Sequence, residues 1–410
     1  MPLLDKLETE LDALSAKSLR RRRRVAESGC APRVQVDGKP MLAFCSNDYL
    51  GLASHPAVAE ALREGARLYG AGGGASHLIS GHSIAHAQLE EKLADFMSPH
   101  LESARALYFC TGYMANLAVI TALAAGNSAA GTGGSTEIFS EALNHASLID
   151  GARLSRTKVH VYPHGDVAAL EQMLQTSTAE TKLVVTDSVF SMDGNLAPLP
   201  ALLALCEKYQ AWLVVDDAHG FGMLGEHGRG ALEHFHLSSP YLVYMGTLSK
   251  AAGVGGAFVA AHATVIDWMV QKARPYIYTT AAAPALAHAL LTSIDIISGH
   301  EGHQRRIQVQ RLIARLQQGL KLARWQLMPS ATAIQPILIG DNAEAMRAAA
   351  SLYEQGLWVP AIRPPTVPVG TSRLRVTLSA AHTTLDVDQL IAAVNAMDAL
   401  GAPDAVEIAG

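Results

Sequence analysis

The stretch "AWLVVDDAHGFGMLG", residues 211–225, decides how the rest of this sequence is interpreted. Its first half is the apolar run of a buried strand, and Gly220–Gly225 has the G-x-G-x-x-G spacing of a dinucleotide-binding turn. In such a turn the glycines directly follow the strand, a helix begins inside the motif, and an acidic residue lies about 20 positions further on. Here Asp216 to His219 separate strand from glycines, more glycines follow, and the next strand brings no carboxylate. The pattern argues against an NAD enzyme, and we interpret the glycines as shaping a loop.

The next strand along the chain, "YLVYMGT", ends close to a lysine. The run ends at Thr247, and Ser249 and Lys250 follow it, with small residues after them. Ligands of open α/β sheets bind at the carboxyl ends of the strands. Asp216 and His219 lie at the end of another strand, so we expect both residues and Lys250 to face one pocket.

The positions of Asp216 and Lys250 predict their chemistry. Asp216 follows four apolar residues, and a buried carboxylate needs a cationic partner such as a protonated pyridine nitrogen. A helix N-cap or a metal ligand are the alternatives for Asp216. The sequence has no second carboxylate or histidine cluster at metal spacing, so we predict no metal site. Lys250 lies among apolar and small residues, where desolvation lowers the pKa of an amine and favours a Schiff base.

A phosphate site is predicted where the strand "ALYFC" passes into a helix. "FCTGYMAN" places Gly112 and Tyr113 at the helix start, where backbone N–H groups bind anions, and Thr247 could add a hydroxyl. His145 begins another helix in "LNHASLIDGA". From its spacing alone, an ordinary polar cap is the simpler interpretation of His145.

The order of patterns along the chain predicts an α/β protein with three parts, residues 1–50, 51–290 and 291–410. Residues 3–24 have leucines at helical spacing, residues 33–44 read as a hairpin around an Asp-Gly turn, and residues 69–81 are too glycine-rich for a regular element. From residue 105, apolar runs alternate with helical stretches, which indicates a large, mostly parallel sheet. A long helix over 300–324, three strands and a closing helix then indicate a smaller α+β unit. The apolar runs are "ALYFC", "TEIFS", "KVHVYP", "KLVVTD", "AWLVVDD", "YLVYMGT" and "GAFVAA".

Composition excludes several classes of protein. The 410 residues are 49% hydrophobic with a formal net charge of −5, so the chain is no polycation suited to nucleic acid or an anionic membrane surface. The four cysteines are scattered, and we see neither a membrane-spanning run nor a signal peptide, which predicts a cytoplasmic protein. The five consecutive arginines Arg20–Arg24 suit a phosphate-rich ligand or, more simply, a solvated helix face.

Motifs spread over nearly the whole chain resemble those of the α-oxoamine synthase family. These pyridoxal 5'-phosphate (PLP) enzymes of aminotransferase fold type I condense an amino acid with an acyl-CoA and release CO2. The resemblance implies a large, mostly parallel PLP-binding sheet domain, a smaller C-terminal α+β domain and an N-terminal helical segment. The motifs are "SNDYLGL", "SHLISGHSIAHAQLE", "GYMAN", "LNHASL", "VFSMDGNLAPL", "VVDDAHGFGMLGEHGRG", "GTLSKAAG" and "RPPTVPVGTSRLRVTLSAAH".

The resemblance implies a role for each matching residue. Lys250 would hold PLP covalently, Asp216 would pair with the pyridine nitrogen, and His145 would stack on the ring, which makes these three the catalytic residues. The implied cofactor contacts are Gly112, Tyr113, Ser191, Asp216, His219, Thr247 and Lys250. The implied substrate contacts are Arg20, Asn47, Ser76, His145, Thr366 and Arg375.

The resemblance also implies substrates and an assembly. "AIRPPTVPVGTSRLR" and the "LRRR" near the N-terminus are most similar to the branch that condenses L-alanine with a pimeloyl thioester in biotin biosynthesis. A sister branch using glycine or serine is the alternative. The thioester would be carried by CoA or an acyl carrier protein, and a homodimer would share its active sites. Ser249, where glycine is common, and Glu141, where aspartate is common, depart from the pattern without removing a chemical role.

Overall fold

The structure, a computed structural model, describes residues 2–125 and 135–399. It divides into two compact units, one made of residues 1–49, 192–195 and 307–410 and the other of residues 50–191 and 196–306. We call them the small unit and the large unit. The three-part division expected from the sequence stays a prediction about domains. Within the described ranges, no helix combines the length and the apolar character that a membrane span requires.

Fourteen α-helices and one π-helical turn, His77–Gly81, are present in the described residues. The helices are α1 (Pro2–Ala16), α2 (Pro56–Tyr69), α3 (Ile84–Met97), α4 (Gly112–Ala124), α5 (Ala146–Ser155), α6 (Val167–Thr176), α7 (Leu199–Tyr209), α8 (Ala231–His234), α9 (Ala263–Lys272), α10 (Arg274–Ile277), α11 (Pro284–Ser298), α12 (His300–Gly319), α13 (Asn342–Glu354) and α14 (Thr384–Ala399).

The same residues contain fourteen strands. They are β1 (Arg33–Val36), β2 (Lys39–Ala43), β3 (Ala104–Phe109), β4 (Thr136–Glu141), β5 (Lys158–Tyr162), β6 (Thr181–Asp187), β7 (Trp212–Asp216), β8 (Leu242–Thr247), β9 (Ala257–His262), β10 (Gln326–Leu327), β11 (Ile334–Gly340), β12 (Leu357–Trp358), β13 (Ala361–Ile362) and β14 (Ser372–Thr377).

The large unit contains the mostly parallel sheet that the sequence predicts. Its seven strands lie in the order β3-β9-β8-β7-β6-β4-β5. Only β9 runs antiparallel to its neighbours, and the pairs from β8 to β5 are all parallel. The central strands are near-continuous apolar runs because a parallel sheet is covered on both faces. In β7, for example, Leu213, Val214 and Val215 are fully buried.

The core of the large unit packs helices against the sheet. Small and branched residues of α4 and α5 contact β4, β6 and β7, and α9 contacts the β8 and β9 side through Ile266 and Met269. Leu148 and Ile120, for example, are completely buried in this cluster. Because β6, β7 and β8 are neighbouring parallel strands, their carboxyl ends are held at the same edge of the sheet.

The small unit has two sheets whose strand pairs are antiparallel except for β2 and β12, in agreement with the predicted α+β character. A four-stranded sheet has the order β10-β11-β14-β13, and a three-stranded sheet has the order β1-β2-β12. The predicted hairpin over residues 33–44 is confirmed as β1 and β2. Its Asp37-Gly38 turn has positive φ at both residues, as a type I′ turn requires.

The N-terminal helix is shorter than the sequence suggests. The leucine spacing predicts a helix over residues 3–24, but α1 ends at Ala16. Ser18 adopts a left-handed φ of 54°, and the amide of Leu19 donates to the carbonyl of Leu14, which closes the helix end. The arginines 20–24 therefore lie outside a helix. Like charges four residues apart face one another on a helix, and this repulsion does not arise here.

Two other element predictions need correction. Residues 69–81 were expected to lack regular structure, but the last five form the π-helical turn, whose Gly81 amide donates to the carbonyl of Ser76. The helix predicted over 300–324 ends at Gly319, after which the amide of Lys321 donates to the side chain of Asn395. In both places the boundary depends on a hydrogen bond that the local pattern of apolar residues does not predict.

Candidate active site

Polar residues gather at the carboxyl ends of β6, β7 and β8. Asp187, Asp216 and Met245 are aligned across these three strands in the parallel register. A cavity of about 170 Å³ lies beside them. Its lining residues are Gly112, Tyr113, Asn116, His145, Ser147, Asp187, Asp216, Ala218, His219, Met245, Thr247, Ser249 and Lys250.

Asp216 is a buried carboxylate with both oxygens in hydrogen bonds. It is 3% exposed, its Oδ2 accepts from Asn116 Nδ2 at 2.6 Å, and its Oδ1 accepts from the amide of Ala218 at 2.9 Å. Charge-assisted hydrogen bonds of this kind stabilise the ionised form. The carboxylate is thus held in one orientation with its negative charge at the cavity.

Asp187 is a second buried carboxyl group in the cavity. Its Oδ2 accepts from the backbone amide of His145 at 2.6 Å, and its own amide donates to Asn144 Oδ1 at 3.0 Å. Burial raises the pKa of Asp187 well above its usual value, and repulsion from Asp216 raises it further. The pKa of Asp187 is thus shifted towards the protonated form, with burial as the larger cause and the neighbouring Asp216 as the second.

Lys250 and His219 both line the cavity and contact each other. Lys250 Nζ lies 2.8 Å from His219 Nε2. Lys250 is half-buried, and His219 is 7% exposed. The contact places an amine next to an imidazole that can exchange a proton with it.

His145 is held by a chain of hydrogen bonds that begins at Asp216. Asn116 Nδ2 donates to Ser147 Oγ at 2.9 Å as well as to Asp216, and Ser147 Oγ lies 2.7 Å from His145 Nδ1. The Ser147 amide also donates to this Nδ1, which makes Nδ1 the unprotonated nitrogen. Burial lowers the pKa of His145, so its ring is neutral at pH 7.

The N-terminus of α4 forms the opposite end of the cavity. Thr111 caps the helix, its Oγ1 accepting from the amide of Met114 at 3.2 Å, and the amides of the first turn point out of the helix end. A Cβ added to Gly112 would lie 2.8 Å from Thr247 Oγ1, so only glycine leaves room beside this hydroxyl. Backbone amides and a hydroxyl in this arrangement suit a phosphate group.

Of the three motif glycines, only Gly220 lies against Asp217, and it is joined there by Gly230, which follows the motif. A Cβ on Gly220 would lie 2.0 Å from Asp217 Oδ1, and one on Gly230 would lie 1.9 Å from Asp217 Oδ2. The Asp217 side chain accepts from the Tyr244 hydroxyl and the Ala231 amide, and burial raises its pKa to about 7. These glycines let the loop close tightly around a buried acid, as the sequence analysis expected of a loop.

The structure brings most of the predicted cofactor contacts together. Of the seven, Ser191 alone is not among the residues that line the cavity. Ser76, a predicted substrate contact in the same unit, pairs with Thr280 at the start of the π-helical turn and does not line the cavity either.

Four predicted substrate contacts lie in the small unit as two pairs. Arg375 is 5% exposed, and its Nη1 donates to Asn47 Oδ1 at 3.3 Å. Arg20 and Thr366 are both bound to Arg363, which donates to the Arg20 carbonyl at 3.3 Å and accepts from the Thr366 amide at 3.1 Å. The pairs Asn47–Arg375 and Arg20–Thr366 are therefore each local groups, as expected of residues that contact one substrate.

Two cavity residues, Asn116 and Asp187, escaped the sequence analysis as individual residues. Asn116 is the last residue of the quoted motif "GYMAN", and Asp187 is the last residue of the strand "KLVVTD". The rule that selects Asp216, a polar residue at the carboxyl end of a buried strand, also selects Asp187. The two aspartates are 29 positions apart in sequence but adjacent across the sheet, so their proximity has no signal in local spacing.

The site has the groups that PLP requires. The helix end and Thr247 suit its phosphate, the ionised Asp216 suits a protonated ring nitrogen, and Lys250 suits its aldehyde. In addition, Asn116 Oδ1 is a buried oxygen with no hydrogen-bond partner among the described residues. Buried polar atoms are normally satisfied, so the cavity is suited to a polar occupant.

Comparison with known proteins agrees with this geometry. The sequence profile of the class I and II aminotransferases matches residues 39–394. The 8-amino-7-oxononanoate synthase of Janthinobacterium sp. (strain Marseille) is 67% identical over 97% of this chain and 98% of its own length. That of Cupriavidus metallidurans is 58% identical over 95% and 96%.

Solved structures give the same result for the fold. A serine palmitoyltransferase from S. paucimobilis with bound PLP has a TM-score of 0.88 at 28% identity, covering 97% of this chain and 98% of that one. Crystallised 8-amino-7-oxononanoate synthase from Francisella tularensis has a TM-score of 0.71 at 28% identity, covering 88% and 98%.

Proposed function

This chain belongs to the class I and II aminotransferase family, among the 8-amino-7-oxononanoate synthases, and from that premise we propose that it condenses L-alanine with a pimeloyl thioester. The products are 8-amino-7-oxononanoate, CO2 and the thiol, a step of biotin biosynthesis. PLP is its cofactor. The observation that carries the assignment of the chemistry is the meeting of Asp216, His219 and Lys250 in one cavity.

PLP, when bound, supplies an electron-withdrawing ring that makes the α-proton of an amino acid acidic. Asp216 serves this ring by keeping a negative charge beside its nitrogen, and Asn116 and the Ala218 amide fix the carboxylate for that purpose. His145 is neutral, so its ring can lie against the cofactor without adding a positive charge.

Lys250 has two tasks in this proposal. Its amine would hold the cofactor through the aldehyde and, when not engaged there, would act as the general base for the α-proton of alanine. His219 Nε2, at 2.8 Å, orients the amine and can share its proton. After CO2 has left, the same amine returns a proton to the same carbon.

The substrate groups are assigned to the small unit. Arg375 is the proposed partner of the alanine carboxylate, because a guanidinium binds a carboxylate through two parallel hydrogen bonds. Asn47 Oδ1 and Thr377 Oγ1 hold its Nη1 at 3.3 and 2.9 Å. Arg20 and Thr366, both fixed by Arg363, are the proposed contacts of the thioester.

The location and assembly belong to the proposal as well. The four cysteines are present as thiols, which is typical of a reducing compartment and supports a cytoplasmic enzyme. A homodimer with shared sites is the proposed assembly, and CoA or an acyl carrier protein the proposed thioester carrier.

An assay of thiol release tests the function. Purified, PLP-loaded protein is given pimeloyl-CoA with L-alanine, glycine or L-serine, and free CoA is measured with a thiol reagent. We expect release with L-alanine at a kcat/KM at least tenfold above that with glycine or serine. Preference for glycine or serine would move the chain to the sister branch, which the 28–31% identity to serine palmitoyltransferases supports less than the 58–67% identity to the synthases.

A further inference from the structure

Three histidines of the large unit form a cluster that the proposed reaction does not use. His77 lies in the π-helical turn, His82 directly follows that turn, and His86 lies in the first turn of α3. One ring nitrogen from each lies within 4.8 Å of the other two. Among the described residues, this is the one such grouping of histidine, cysteine and acidic side chains.

The three rings are in the form that binds metals. Burial lowers the pKa of each of them, and that of His77 falls to about 4. All three are therefore neutral at pH 7, and a neutral imidazole is the metal-binding form. His77 Nδ1 and His82 Nδ1 lie 3.0 Å apart and share a hydrogen bond, whose proton a bound ion would replace. This separation is a little less than that of two ligand atoms around a tetrahedral zinc ion.

In two of the rings a neighbouring group lies behind Nε2, and Nδ1 makes hydrogen bonds that an ion would replace. His82 Nδ1 is bonded to His77, and His86 Nδ1 to the amide and the hydroxyl of Ser83. His86 Nε2 lies 2.9 Å from the carbonyl of Ala282 and donates to it, which leaves Nδ1 unprotonated. His82 Nε2 lies 3.8 Å from Glu90 Oε2. A carbonyl or carboxylate behind a histidine is the usual outer shell of a metal-binding imidazole. Ser83, whose amide now donates to His86 Nδ1 at 3.1 Å, would give way to the ion.

Burial and charge also suit an ion. His77 is 7% exposed and stacks on Tyr276 with ring centroids 4.7 Å apart, and His86 is fully buried. His82 is exposed and gives the ion a path from solvent. Glu90 brings a carboxyl group to the site: its Oε1 accepts from the Tyr108 amide at 2.9 Å, and burial raises its pKa to about 7.

We propose that His77, His82 and His86 form a binding site for a divalent transition-metal ion of the zinc type, with Glu90 as the outer-shell partner of His82. Imidazole ligands select zinc, nickel, copper or cobalt over magnesium and calcium, which prefer oxygen. The ion ties the π-helical turn to α3, so its role is to fix the glycine-rich segment that precedes the turn.

Zinc titration of the PLP-loaded enzyme tests this site, because the cofactor then occupies Lys250. The protein is treated with EDTA, dialysed and titrated calorimetrically with Zn²⁺, and separately with Mg²⁺. We expect one zinc site per chain in the wild type that Mg²⁺ does not fill. His82→Ala should weaken it at least 100-fold and Glu90→Gln about 10- to 100-fold. His303→Ala, which removes an exposed histidine outside the cluster, should leave it unchanged.

Two results would overturn the site. One is a wild type that binds no zinc, and the other is His82→Ala binding zinc as the wild type does. If His82→Ala does not fold, X-ray absorption at the zinc edge of the wild type decides the question. Three imidazole ligands are expected there, and a shell made mainly of oxygen or sulfur would refute the proposal.

Discussion

At the scale of single residues, the site depends on two aspartates that lie side by side but have different hydrogen-bond partners. Asp216 and Asp187 are aligned across β7 and β6, and both are almost completely buried. Asp216 receives hydrogen bonds at both oxygens, whereas the pKa of Asp187 is raised by burial and by Asp216. The donors on both oxygens of Asp216 thus fix the orientation of this carboxyl group at the cofactor position.

Asp216→Asn should keep the fold and lose most of the activity. An amide at this position has one acceptor oxygen, so its NH2 group faces a donor, Asn116 Nδ2 or the Ala218 amide, at a cost of about 1–3 kcal/mol. Without the carboxylate, the ring nitrogen loses its charged partner, and thiol release should fall on the order of 100-fold or more. Asp267→Asn, on the exposed side of α9, is the matched control. A variant at position 216 that turns over near the wild-type rate would contradict the role of Asp216.

Single residues also show which parts of the site can be predicted from the sequence. Asp216, His219 and Lys250 could be selected because each follows a recognisable buried strand. Asn116 could not, since nothing in the sequence shows that this polar residue of a mostly apolar helix faces Asp216. Its importance comes from the distance of 2.6 Å to Asp216, a contact across 100 positions of sequence.

At the scale of elements, the start of α4 positions the phosphate end of the cavity. Gly112→Ala would place a methyl group 2.8 Å from Thr247 Oγ1. Relieving that contact costs about 1–3 kcal/mol, which corresponds to about a 5- to 150-fold loss of PLP affinity. Absorbance titration of the cofactor-free protein with PLP measures it. Gly255→Ala, where the nearest atom is Leu286 Cδ1 at 4.0 Å, should bind PLP normally. Equal affinities of the two variants would disprove the close fit at α4.

The π-helical turn and α3 should make the protein acid-sensitive. Burial lowers the pKa of His77 from 6.5 to about 4, so the unfolded chain binds a proton there before the folded one does. The contribution of His77 to the free energy of unfolding should therefore be at its maximum above about pH 6.5 and should decrease as the pH falls towards 4. His77→Phe keeps a ring on Tyr276 and should reduce this loss by on the order of 2 kcal/mol. Urea unfolding at several pH values, with EDTA present, measures it.

The control for the acid sensitivity is His303→Ala, which should follow the wild type. An unchanged pH slope in His77→Phe would show that the folded state does not depress the pKa of this imidazole. Other buried histidines, His100 and His382 among them, have lowered pKa values for the same reason, so a residual slope is expected in every variant.

Element boundaries were predictable where they depend on local chemistry. The Asp37-Gly38 hairpin and the alternation of strands and helices follow from turn residues and apolar runs. The end of α1 and the π-helical turn do not, because a left-handed Ser18 and a bond from Gly81 to Ser76 have no periodic signal. The histidine cluster was missed because His77 joins it only through the π-helical turn, although His82 and His86 have the H-x3-H spacing of many metal-binding pairs.

At the scale of the whole molecule, the proposed homodimer gives the last structural prediction. The leucines of α1 are all exposed in the single chain, with Leu3 at 67% and Leu4 at 48%. Exposed apolar stripes of this kind are typical of surfaces that another chain covers. Light scattering of the PLP-loaded protein should give a mass twice the 43.4 kDa of the chain. The mass of one chain at micromolar concentration would exclude a shared active site.

The central claim is that PLP is held by Lys250 in the cavity formed by β6, β7 and β8. Borohydride reduction of the purified yellow protein, followed by peptide mass spectrometry, tests it most directly. The account predicts the pyridoxyl group on the peptide containing Lys250, with Lys250→Ala binding PLP without a reducible link and losing turnover. A pyridoxyl group on another lysine, or near-normal activity in Lys250→Ala, would contradict it.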